Sequence, residues 1–212
     1  VTGRLLTLHL RSRGAPTFLA GVGVIALLAW AAGTWLASRP YFDGPAARVP
    51  VVALAPLLAA LLLGPTLAGA DEDLEHSTPL PWRAWRAGHL LVAVLVTAMA
   101  LNVAGLRAPD TYGAHALMRN TLGCIGLVAG GVVLLGARLA WLPAFVYVCA
   151  VYAAAPRQTG VVVAAWAWPI QPSTITASWL TAATIFIVGA AGYVHAGSRA
   201  PAVRRFRSGG AP

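Results

Sequence analysis

The stretch TLGCIGLVAGGVVLLGARLAWLPAFVYVCAVYAAA, Thr121–Ala155, carries a single charged residue, Arg138. A helix crosses the hydrocarbon core of a bilayer in about 20 apolar residues, with roughly 17–25 tolerated. The stretch is too long for one crossing even when tilted, so the limit on span length makes the chain turn back at Arg138. Two spans follow, Thr121–Ala137 and Leu139–Ala155, joined as a tight helical hairpin.

Outward from this pair, four more apolar runs of similar length recur: Pro16–Ser38, Pro50–Ala70, Gly88–Leu106 and Thr174–Ala196. None has a charge at its centre. In lipid every backbone N–H and C=O must be satisfied within the segment, which favours helices for such runs. The reading is an all-α membrane protein of about six transmembrane helices. Residues 1–15 form an N-terminal interfacial helix, 16–196 the six-helix transmembrane domain, and 197–212 a basic cytoplasmic tail. In the first of these, Leu5, Leu6, Leu8 and Leu10 lie among basic residues, as suits a helix lying along the inner leaflet.

Composition excludes a soluble globule. The 212 residues are 58% apolar and only 10% charged, against about 25% charged in ordinary domains. A globule of this size has too little interior to hide so much apolar surface. The net charge of +9 does not indicate nucleic acid, because the basic residues, all arginine, sit singly at the ends of apolar runs or in the tails. Cys124 and Cys149 fall inside apolar runs and read as small hydrophobes.

Orientation follows from arginine placement. With both termini inside, the cytoplasmic side holds ten: Arg4, Arg11, Arg13, Arg83, Arg86, Arg138, Arg199, Arg204, Arg205 and Arg207. The outer side holds five: Arg39, Arg48, Arg107, Arg119 and Arg157. This gives a multi-pass protein, N-in and C-in. One further segment, Gly160–Ile170, is apolar but too short to span. It forms a re-entrant or an interfacial element on the outer side, with Trp166, Trp168 and Pro169.

The spans offer little chemistry. His89 and His195 lie at cytoplasmic span ends and His115 in an outer loop, and no metal-ligand spacing, nucleophile elbow or phosphate loop occurs. Thr97, Asn102 and Thr184 are isolated polar groups expected to bond between helices. Gly126-x-x-x-Gly130, with Gly189 and Gly192 in the last run, marks a close helix approach. Pro56, Pro65 and Pro143 are sites for kinks or local unwinding.

Distinctive charge is concentrated in one cytoplasmic loop, Asp71-Glu72-Asp73-Leu74-Glu75-His76-Ser77-Thr78-Pro79-Leu80-Pro81-Trp82-Arg83-Ala84-Trp85-Arg86. Its acids favour the first turn of a short helix. Ser77-Thr78-Pro79 ends that helix and caps a second, amphipathic one. In the second, Trp82 and Trp85 sit in the interface while Arg83 and Arg86 face phosphates.

Two spans, then Glu75, Leu80-Pro81-x-Arg83 and Gly88, then a third span: this order resembles the type-2 ABC export permeases, the membrane subunits of bacterial ABC transporters. The resemblance implies that Asp71, Glu72, Asp73, Leu74, Glu75, His76 and Thr78 form a coupling helix docking on a separate ATP-binding subunit. Pro79, Leu80, Pro81, Trp82, Arg83, Trp85 and Arg86 would form the elbow behind it. It further implies an exporter in the bacterial plasma membrane, with a second permease copy or paralogue and the bilayer as partners. No cofactor would be held by this chain; ATP and Mg would sit on the partner, and the chain would have no enzymatic site. The chain is shorter than most such permeases, with minimal outer loops. Two other classes stay open: a polytopic enzyme acting on lipid or isoprenoid substrates, with Asp71–Glu75 as its acidic group, and a non-catalytic membrane accessory protein.

Overall fold

A computed structural model describes residues 11, 13–38, 45–68, 81–105, 111–156 and 160–199. Among these there are seven α-helices, three short 3-10 turns and no strand. The helices are α1 (Ala15–Ala37), α2 (Val49–Leu63), α3 (Trp82–Gly105), α4 (Ala114–Leu135), α5 (Trp141–Ala154), α6 (Val161–Trp166) and α7 (Thr176–Ala196). The 3-10 turns are Pro45–Arg48, Gly64–Leu67 and Trp168–Ile170. The first two extend α2 at either end, and the third continues α6.

The all-α membrane architecture is as expected, with five helices long and apolar enough to cross a bilayer: α1, α2 with its flanking turns, α3, α4 and α7. The remaining run, Leu139–Ala155, forms only the 14 residues of α5. Its rise of about 21 Å is short of the roughly 30 Å hydrocarbon core. The fold-back does occur. Gly136 adopts φ 80° and ends α4, residues 137–140 turn, and α5 returns against α4. The return is close, since a Cβ on Gly131 would lie 2.5 Å from the carbonyl oxygen of Ala140.

Contacts between span ends show how the helices alternate. At one end the Tyr193 hydroxyl donates to the carbonyl of Leu67 (2.8 Å) and accepts from Arg13 (3.3 Å). Arg199 donates to the carbonyl of Leu134 (2.7 Å), and His89 Nε2 lies 3.2 Å from the Thr66 hydroxyl. This end therefore joins the start of α1, the end of α2, the start of α3 and the ends of α4 and α7. At the opposite end Asn120 donates to the carbonyl of Val52, and the Ser173 N–H to the carbonyl of Thr111. Arg11, Arg13, Arg83, Arg86, Arg138 and Arg199 all fall at the first end, hereafter the basic end.

α4 is the axis of the bundle. Ile125, Val128, Ala129 and Val132 are fully buried along it, packed with α2, α3, α5 and α7. Its crossing with α7 runs backbone to backbone: a Cβ on Gly189 would lie 2.0 Å from the Gly126 oxygen, and one on Gly126 2.5 Å from the Phe186 Cα. The expected glycine contact is thus real, and its partners are Gly126 and Gly189 within one chain. α1 and α7 keep broad apolar faces outward, including Leu27, Leu28, Ile187 and Val188, as lipid-facing helices do.

Three boundary expectations are corrected. α4 begins at Ala114, so Arg119 lies in its second turn and not in an outer loop. The amphipathic elbow is no separate helix in its described part, because Trp82, Arg83, Trp85 and Arg86 open α3 and run unbroken into the third span. Thr97, expected to bond between helices, has a buried hydroxyl without a hydrogen-bond partner, and Thr184 is exposed. Of the expected N-terminal interfacial helix, residues 1–15, only 11 and 13–15 are described, and there Arg13 is buried against α7.

Candidate functional site

A charged side chain in the apolar part of a bundle is costly unless its donors are met, so Arg119 is the natural starting point. It is fully buried. Nε donates to Asn120 Oδ1 (3.0 Å), Nη1 to the carbonyl of Pro172 (3.0 Å) and to Ser178 Oγ (2.9 Å), and Nη2 to the carbonyl of Gln171 (2.8 Å). All four acceptors are neutral. Asn120 Nδ2 in turn donates to the carbonyls of Val52 (2.8 Å) and Pro169 (2.7 Å). The two adjacent residues thereby tie α4 to α2, to the start of α7 and to the segment before α7.

That segment is the expected outer element. α6 and the turn Trp168–Ile170 fold back toward the bundle, and the carbonyls of Pro169 in that turn and of Gln171 and Pro172 after it accept from Asn120 and Arg119. Backbone outside regular structure survives at such depth only where protein meets its polar groups. The two tryptophans divide. Trp166 is exposed, as an interfacial anchor would be, whereas Trp168 is fully buried and corrects the expectation of a second one. Its ring fills the space left by Gly123, where a Cβ would lie 2.3 Å away, and stacks on Tyr147 with centroids 6.0 Å apart. Pro169 is buried beside it, and Tyr147 donates to the carbonyl of Trp166.

Two buried polar atoms here have no hydrogen-bond partner: Trp168 Nε1 and Gln171 Oε1. Tyr112, just before α4, completes the surroundings. Burial pushes its phenol pKa up, while the charge of Arg119 pulls the other way. The tyrosine is therefore a neutral neighbour. Among the described residues no group of three or more His, Cys, Asp or Glu side chains could hold a metal.

The basic end carries the other candidate residues. Asp71, Glu72, Asp73, Leu74, Glu75, His76, Thr78, Pro79 and Leu80 lie outside the described residues. Pro81 precedes α3 and accepts from the N–H groups of Ala84 and Trp85, opening the helix. Trp85 and Arg83 are exposed at the surface, and Trp82 is half-buried. Arg86, expected to face phosphates, turns inward and is buried. Its guanidinium packs on Gly197, which closes α7 at φ 75°; a Cβ there would lie 2.7 Å from Arg86 Cζ. The elbow of α3 and the end of α7 are thus locked together.

Sequence reasoning missed Arg119 and Asn120 because a lone arginine two residues before an apolar run reads as a loop charge. The available signal was the uncharged stretch Thr111–Met118, which allows the helix to start a turn or two earlier. No protein-family model matches this sequence, and no curated protein or solved structure matches it.

Proposed function

We propose that this chain is the membrane-spanning permease subunit of an ATP-driven exporter, working with a separate ATP-binding subunit and a second permease copy or paralogue in a bacterial plasma membrane. One observation carries the reading. The link from Leu67 to Trp82, which holds the acidic cluster, leaves and re-enters at the basic end, where Tyr193, Arg13 and Arg86 bind α1, α2, α3 and α7 together. A force applied to that link reaches four helices at once. The opposite end is held by Arg119 and Asn120, so movement at the basic end has a fixed anchor to work against. In this scheme ATP and Mg sit on the partner, and the chain supplies the pathway and the transmission.

Tagged full-length chain recovered from its native membranes should bring with it a subunit carrying a GxxxxGK[S/T] phosphate loop. Leu74→Ala combined with Glu75→Ala should lose that subunit and transport together. Undiminished association and transport in the double variant would sink the coupling role.

A further inference from the structure

A cleft of about 450 Å³ opens at the basic end, bounded by Leu61, Gly64, Pro65, Ala137, Arg138 and Trp141. We infer that it binds an anionic phospholipid, with Arg138 on the phosphate and the apolar walls along the upper acyl chain. The cleft exists for local reasons. At Gly64 the α2 helix tightens into a 3-10 turn led by Pro65, and the missing side chain leaves the floor low. A Cβ at Gly64 would reach ordinary contact with Ala140 and Val128, at 3.4 and 3.6 Å. The opposite wall is the turn between α4 and α5, where the Trp141 indole donates to the carbonyl of Arg138 (3.1 Å). That bond holds the ring beside the arginine.

Three features select this ligand. Arg138 is the one charged side chain of the lining, it is exposed, and it stands at the end that also holds Arg11, Arg13, Arg83, Arg86 and Arg199. Clefts between helices at a basic membrane face suit anionic headgroups, and each arginine near such a surface favours them by about fivefold. The volume is within the roughly 300–1,000 Å³ of small-molecule sites. The remaining walls are apolar and pass into the exposed face of Leu142 and Phe145 on α5, a continuous path for an acyl chain. A free phosphate could use only the exposed guanidinium; a lipid uses the walls as well.

The test reads quenching of Trp141 by brominated lipids, taken as the difference between the wild-type chain and Trp141→Phe in vesicles of phosphatidylcholine and phosphatidylglycerol. Brominated phosphatidylglycerol should quench this component about fivefold more effectively than the phosphatidylcholine analogue at equal fraction. Arg138→Gln should remove the preference, and so should Ala137→Phe, which fills the cleft and keeps the arginine. Arg83→Gln, an exposed arginine at the same end but outside the cleft, should leave it intact. Equal quenching in the wild type overturns the inference. So does a preference that survives Arg138→Gln or Ala137→Phe, falls equally with Arg83→Gln, or disappears on adding inorganic phosphate.

Discussion

Arg119 makes four hydrogen bonds to neutral groups, and its removal takes the donors from the carbonyls of Gln171 and Pro172. Each stranded group costs about 1–3 kcal/mol, softened in membrane bundles where the unfolded state also finds partners. Arg119→Leu should therefore destabilise the protein by about 2–4 kcal/mol in a detergent unfolding titration. Arg119→Lys should recover part of this, since an ammonium keeps the charge but not the fork that reaches three chain segments. Emission from Trp168 should shift to the red in Arg119→Leu as the segment over it loosens; an unshifted spectrum with full stability would remove Arg119 from this role. The residue was hard to read from sequence because its neighbours in space are carbonyls of Gln171 and Pro172, far along the chain and chemically anonymous. Asn120 was hidden in the same way, whereas the exposed Trp85 and Arg83 were legible as surface residues beside an interface.

At the scale of elements, the α4–α7 crossing depends on two glycines and tolerates others. Gly189→Ala would drive a methyl into the Gly126 carbonyl and force the helices apart, at about 1–3 kcal/mol. Gly130→Ala meets only the Gly189 Cα at 3.8 Å and should stay within about 0.5 kcal/mol. Equal effects of the two substitutions would show that the crossing is looser than described. Span existence and order were legible because apolar runs of the right length have few other fates in a chain this short of charge. Span ends were less so. The third helix starts at Trp82 because tryptophan and arginine extend a helix into the headgroups without penalty, so the apolar pattern alone begins it late at Gly88. The fourth starts at Ala114 because a buried polar network accommodates Arg119, which a pattern of hydropathy counts as a stop.

For the whole molecule, the two ends differ in kind. Among the described residues, the basic end gathers Arg11, Arg13, Arg83, Arg86, Arg138 and Arg199, Arg13 bonding Tyr193; the other end has Arg48, half-buried, and the buried Arg119. By the positive-inside bias, the basic end is predicted to face the cytoplasm. In a background with Cys149→Ser and Cys124→Ala, cysteines at positions 48 and 160 should react with an impermeant maleimide on intact cells. Cysteines at 83 and 138 should react only after the membrane is opened. The reverse pattern would invert the topology and move the acidic link away from any cytoplasmic partner. The proposed function rests on that link, whose chemistry is sequence-local, while the structural supports behind it, Arg86 on Gly197 and Tyr193 on Leu67, depend on residues more than a hundred positions apart.

The brevity of α5 has a consequence for the membrane itself. Its outward face, Phe145, Val146 and Cys149, is exposed along a helix of 14 residues, while α4 beside it has 22. Lipid next to α5 must compress by several ångströms to avoid meeting polar backbone, and lipid next to α1 need not. The protein thus sits in a lopsided dimple, thin on one flank only. Shorter-chain lipids should collect along that flank, and bilayers of shorter acyl length should hold the chain more stably than thicker ones.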